Sequence, residues 1–188
     1  MRGFPRDKRF SSSLYDYFAW IPTGLSLFCC IALLILRLMV VSGNSMLPTL
    51  HNGDLLLTSK LFYTPARGDI IVLSKKSFFD ERPIVKRIIA AEGDEINIDF
   101  VQGLVWVNGE LLDEPYIAEP TTLPEGMTFP QTVPENCVFV MGDNRNRSED
   151  SRDPALGMVD ERHIIGKVRA VLPTGQLIDT MKGSRDNG

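Results

Sequence analysis

Ser45 stands in "SGNSMLPTL", residues 42–50, a polar turn between a long apolar run and a β-like region. A serine hydroxyl attacks a carbonyl only when a base within hydrogen-bond reach takes its proton. The chain has two histidines. His51 lies in the turn "PTLHNGD", where a ring faces water, and His163 lies among charges in "DERHIIG" at the start of a strand. Lysine is the other candidate base, and it serves only when neutral; apolar burial and a nearby cation both push it that way. Lys60, Lys75, Lys76 and Lys182 sit among polar or turn residues. Lys86 sits inside "PIVKRIIAA", and in a strand it shares a face with Ile84 and Ile88 while Arg87 points the other way. A lysine so placed is paired, neutral or functional, or it belongs to an edge strand and snorkels to water. A third stretch, "MGDNRNRSEDSR", packs Asp143, Arg145, Ser148, Asp150 and Arg152 into one turn-rich segment. It suits a solvated loop, and it equally suits a shell in which a hydroxyl orients an amine and Asp–Arg pairs hold the loop.

The elements that must position these groups read as β-structure. "DLLLT", "DIIVLS", "PIVKRIIAAE", "EINIDF", "LVWVNGELL" and "CVFVMG" are strand-length, rich in branched and aromatic residues, and separated by turn signals. Asn108-Gly109 between "LVWV" and "ELL" marks a two-residue type I′ hairpin. "PYIAEPTTLPEGMTFPQTVPEN" holds five prolines and reads as a long surface excursion. "DPALGMVDERH" supplies at most one helical turn.

Ahead of them, residues 17–36 carry no charge. A helix of that length spans a hydrocarbon core of roughly 30 Å. Residues 1–16 carry a net charge of +2 and the remainder −6, which keeps the head in the cytoplasm and exports residues 37–188. The apolar run is longer than a signal-peptide core and no A-x-A-like site follows it, so an uncleaved anchor is expected. The overall charge of −4 gives no reason to expect nucleic acid as a partner. Three cysteines without paired spacing imply neither a metal site nor a disulfide framework.

Taken together, the sequence resembles the bacterial type I signal peptidases, membrane-anchored serine proteases with a Ser-Lys dyad. The resemblance lies in an N-terminal anchor followed, in family order, by "SGNSMLPTL", "GDLLLTSK", "RGDIIVL", "VKRIIAAEGD" and "GDNRNRSEDSR". It implies a mostly β fold: an antiparallel catalytic sheet with a small variable β-region inserted at about residues 97–134. It implies Ser45 as nucleophile, Lys86 as general base and Ser148 as the hydroxyl that orients the Lys86 amine. Asp150 would pair with Arg152 and Asp143 with Arg87. The Ser45 backbone N–H would stabilise the oxyanion. Some members add a serine hydroxyl two residues before the nucleophile; here that position is Gly43. No cofactor is implied. The partners would be signal-peptide-bearing preproteins, cleaved after small residues, and the lipid bilayer of the cell membrane.

Shallow apolar pockets fit a preference for small residues. Met46 and Leu50 beside the nucleophile, and Ile84 and Val85 beside the base, are the expected walls. Nine residues separate Leu36 from Ser45, at most about 30 Å of extended chain, so the nucleophile is expected near the outer membrane surface. Two other readings compete. The self-cleaving LexA-type repressors share the Ser-Lys dyad but are cytosolic with a DNA-binding head, at odds with the uncharged run. A membrane-tethered β-domain could also act as a non-catalytic scaffold, for which an intact Ser45, Lys86 and Ser148 would be unexpected.

Overall fold

The computed structural model describes residues 20–28, 36–75, 78 and 82–175. The chain divides into two compact units at Leu36/Arg37. In the first, residues 20–28 are helical. The expected span over residues 17–36 falls largely outside the described residues. Among those that are described, no helix is long and apolar enough to cross a membrane.

The second unit is built almost wholly of antiparallel strands. They are β1 (Arg37–Val40), β2 (Leu55–Ser59), β3 (Ile70–Leu73), β4 (Ile84–Ala91), β5 (Glu95–Asp99), β6 (Leu104–Val107), β7 (Glu110–Leu111), β8 (Gln131–Thr132), β9 (Cys137–Met141), β10 (Val159–Asp160) and β11 (Ile164–Leu172). Seven strands form one sheet in the order β1-β2-β11-β3-β4-β9-β10, and four form a second in the order β7-β6-β5-β8. Each run read as a strand from the sequence became one. The strand β1 is an addition: "RLMV" pairs with β2, Met39 opposite Leu56, where the sequence suggested only the loop leaving an apolar segment.

The paired strands β4 and β9 form the seam between two cores. Along β9, Val138 and Val140 pack with Ile71, Leu73 and Ile88, while the alternate residues Phe139 and Met141 pack with Ile96, Val105 and Val107. This is the period of two that a strand buried on both faces imposes. On the β4 side the register with β9 shifts between Ile88 and Ala90, and the bulge lets Ile89 and Ala90 both join the second core. The hairpin at Asn108-Gly109 forms as its sequence dictates: φ is +55° and +78° there, and Val107 pairs with Glu110.

Between β7 and β8 the proline-rich segment runs without strands over the loop that follows β9. Glu114 pairs with the buried Arg145. Asn146 donates to the Pro120 carbonyl and accepts from the Thr122 and Leu123 amides, each at 3.0 Å. Asn146-Arg147-Ser148 fits the short Asn-x-Ser glycosylation pattern, and its Asn146 amide is used within the fold.

Candidate active site

Four stretches of chain converge beside the start of β4. Residues 41–50 form a tight turn closed by Leu47 N–H to Asn44 O and Leu50 N–H to Met46 O. Gly43 adopts φ +100°, a conformation that side chains disfavour, and gives its N–H to Asn52 Oδ1 at 3.0 Å. The turn is tied to the loop after β9 at two points: Asn144 N–H donates to Ser45 O, and Asn144 Nδ2 donates to Asn44 O, both at 3.0 Å. Among the described residues no acceptor takes the Ser45 backbone N–H.

Lys86 lies on β4 and is 3% exposed. Its Nζ is 2.8 Å from Ser45 Oγ and donates to Ser148 Oγ at 3.1 Å. Ser148 in turn donates to Asp150 Oδ2 at 2.8 Å. Asp150 is buried and accepts four further bonds: from Gly142 N–H at 3.0 Å, from Arg152 N–H at 3.3 Å, from Arg152 Nε at 2.8 Å, and from an Arg152 terminal nitrogen at 2.9 Å. Arg152, equally buried, spends its remaining donors on the carbonyls of Leu123, Arg145 and Ser148. Burial here is compensated bond by bond, as charged groups in a core require.

The same desolvation acts on Lys86. It brings the amine down from its ordinary value to about 8, against the opposing pull of Asp150 and Glu125, with Arg152 helping to lower it. One of the two alternatives left open by the sequence is thereby settled: Lys86 does not snorkel to water but ends between two hydroxyls. Asp143 lies on the other side of β4. It accepts from Arg87 Nε at 2.8 Å and from a terminal nitrogen at 2.6 Å, and Thr49 Oγ1 donates to it. The Arg87 guanidinium stacks over Tyr116 at 4.0 Å from the ring centroid.

Gly142 explains why this spot carries no side chain. A Cβ there would overlap Ser148 Oγ, the Ser45 carbonyl oxygen and Ser148 Cβ, all closer than 3.0 Å. The backbone of Gly142 is therefore the spacer between the serine turn and the lysine's support.

A cleft of about 380 Å³ opens over Ser45 and Lys86. Met46, Ile84 and Val85 line it, joined by Met39, Val40 and Val72. Leu50 does not. It is 1% exposed and packs beneath the turn with Val41, Leu56 and Val72, so the expectation that it walls the pocket is corrected: its N–H bond to Met46 O turns its side chain into the core. His51 and His163 take no part in this cluster. The sequence also passed over Gly142 and Asn144, whose contacts with Ser45 span about a hundred residues of chain, and Glu125, which reaches Arg152 from the proline-rich segment.

A buried amine held near neutrality against a serine hydroxyl can carry out acyl transfer. Comparison with known proteins agrees with that chemistry. The family described as signal peptidase, peptidase S26, matches residues 14–173. The chain belongs to this family. Among curated signal peptidases, "Probable signal peptidase I-2" of Synechocystis is 40% identical over 136 residues, which cover 68% of this chain and 58% of that protein. "Signal peptidase I" of Bacillus licheniformis is 33% identical over 167 residues, covering 82% of this chain and 86% of the relative. A crystal structure of a signal peptidase I from Enterococcus faecalis is 30% identical, with a TM-score of 0.46 over 56% of this chain and 97% of that one.

Proposed function

We propose that the chain is a membrane-anchored serine endopeptidase that removes signal peptides from exported preproteins, with Ser45 as nucleophile and Lys86 as general base. The 2.8 Å approach of a buried Lys86 Nζ, its basicity lowered by desolvation, to Ser45 Oγ carries this reading. At pH 7 about a tenth of a lysine with a value near 8 is neutral. That neutral amine takes the Ser45 proton as Oγ bonds to the scissile carbonyl carbon. The Ser45 N–H faces the developing oxyanion. The ammonium then protonates the leaving amine as the C–N bond breaks, leaving an ester on Ser45. Water, deprotonated by the same amine, hydrolyses that ester.

Ser148 keeps the lysine's lone pair aimed at Ser45, because its hydroxyl is itself committed to Asp150. The apolar floor of Met46, Ile84 and Val85 suits small side chains such as the alanines of an A-x-A site. The uncharged residues 17–36 would hold the enzyme in the cell membrane, with its N-terminus in the cytoplasm and residues 37–188 outside. A short tether from Leu36 to Ser45 would keep the nucleophile at the height where a membrane-held signal sequence ends.

The alternative, a non-catalytic scaffold, would have no use for a buried lysine and its relay of partners. Detergent-solubilised protein and its Ser45→Ala variant, each offered a preprotein with an A-x-A site, decide the matter. Cleavage at that site by the parent and none by the variant is expected. Equal processing by both would overturn the assignment.

A further inference from the structure

The proline-rich segment does more than cover the second core. Its residues 123–127 wrap the Asp150–Arg152 pair on which the lysine's support rests. Leu123 O accepts from Arg152 Nη1 at 3.0 Å, and Met127 N–H donates to Arg152 O at 3.0 Å. Between them Glu125 Oε2 accepts from Asp150 N–H at 3.3 Å, and Glu125 Oε1 lies 3.4 Å from an Arg152 terminal nitrogen. The segment that brings all three onto Arg152 bends at Gly126, whose φ of +111° leaves its α-carbon facing Pro154. The Glu125 side chain is only 12% exposed. A carboxylate is thus delivered from the inserted region to the back of the candidate site.

We propose that Glu125 is a positioning residue for the dyad: it clamps the Asp150 amide and the Arg152 guanidinium, and its charge governs how readily Lys86 gives up a proton. This rests on the Ser45–Lys86 reading above. Three considerations support it. First, Glu125 holds both members of the pair that orients Ser148, so its reach to the amine is through named bonds. Second, its charge sits among the groups that support the dyad. The groups that act on it are Asp150, Arg152 and Asp153, and it acts in turn on Lys86. Third, Glu125 is the second-largest anionic influence holding Lys86 protonated, after Asp150. Desolvation, then the Asp150 charge, lifts Glu125 itself to about 7. Two interacting groups with values near 7 and near 8 titrate as a coupled pair across the working range of a lysine base.

The sign of the effect separates this role from a merely structural one. Glu125→Gln keeps an oxygen for the Asp150 amide and removes the charge. With that anion gone, Lys86 ionises less readily. Where Glu125 is charged in the parent, above about pH 7, the rising limb of kcat/KM then moves to lower pH by about half a unit, which raises kcat/KM there by up to about threefold; below that, where Glu125 is itself mostly protonated, the two profiles converge. Glu125→Asp keeps the charge on a shorter arm; it holds the limb near the parent's position while kcat falls.

The experiment is a pH profile of kcat/KM from pH 6 to 9.5 on the full detergent-solubilised chain, with an A-x-A preprotein and thermal melts alongside. A downshifted limb in Glu125→Gln with the limb retained in Glu125→Asp is the result expected. An unmoved limb in a folded, active Glu125→Gln overturns the proposal. Should Glu125→Gln fold but fail to turn over, ¹³C-lysine NMR reads the Lys86 titration directly, and an unshifted Lys86 overturns it equally. Activity that persists in Ser45→Ala would instead sink the dyad itself, so the two failures are distinguishable.

Discussion

Gly142→Ala perturbs the candidate site without touching a group that handles protons. An ideal Cβ at Gly142 would sit 2.5 Å from Ser148 Cβ and closer still to Ser148 Oγ and the Ser45 carbonyl oxygen. Ordinary van der Waals contact begins at 3.4 Å, so each neighbour must retreat by about 1 Å. Neither can do so freely. Ser148 Oγ is held between Lys86 and Asp150, and Ser45 O is held by the Asn144 amide. The methyl group therefore forces apart the two serines that bracket the lysine. Overpacking of this kind costs about 1–3 kcal/mol of stability. A displacement of about 1 Å at a reacting centre lowers turnover on the order of 100-fold. Steady-state processing of an A-x-A preprotein by the solubilised variant should show that fall in kcat with KM little changed, since the cleft walls of Met46, Ile84 and Val85 are untouched. A folded Gly142→Ala with parental kcat would refute the claim that this backbone sets the spacing between nucleophile and base.

Two further outcomes follow from Lys86. Its value near 8 means that kcat/KM should climb about tenfold per pH unit below that point and level above it, as the amine becomes neutral; a flat profile between pH 6.5 and 9 would count against lysine as the base. The same depression burdens the fold. The native state binds fewer protons than the unfolded chain between about 8 and the ordinary lysine value, so stability gained from this group rises with pH across that window, and the burden is complete below it. Lys86→Met should abolish turnover yet raise stability at pH 7 by up to about 3 kcal/mol, seen as a higher melting temperature, and calorimetry should find the advantage shrinking by pH 9.

Much of the architecture was legible because strands advertise themselves by a period of two and by their turns. "CVFVM" and "IVKRIIAA" read as strands, and Asn108-Gly109 as a hairpin, from local chemistry alone. Lys86 stood out for the same reason, as an ammonium among isoleucines, though from the strand alone it could equally have snorkelled to water. The strand β1 was hidden because "RLMV" continues an apolar run whose composition already had an explanation. Leu50 shows the limit from another side. An apolar residue near a nucleophile is equally suited to a pocket wall or to the core beneath it, and only the turn's hydrogen bonds decide which. Glu125 and Asn144 were invisible as participants, since a Glu in a proline-rich loop and an Asn in a charged loop are ordinary until the fold brings them to Arg152 and Asn44.

The seam between β4 and β9 has a consequence for when the protein can act. Ser45 and its turn, Lys86 on β4, the clamp at residues 123–127 and the loop of residues 142–152 come from successive quarters of the chain, and only the pairing of β9 with β4 brings the last of them to the first. A chain halted before Met141 has a serine and a lysine but no Ser148, Asp150 or Arg152 to aim one at the other. Long-range pairings of this kind form slowly. On the Ser45–Lys86 reading, hydrolytic competence therefore waits until the sheet has closed.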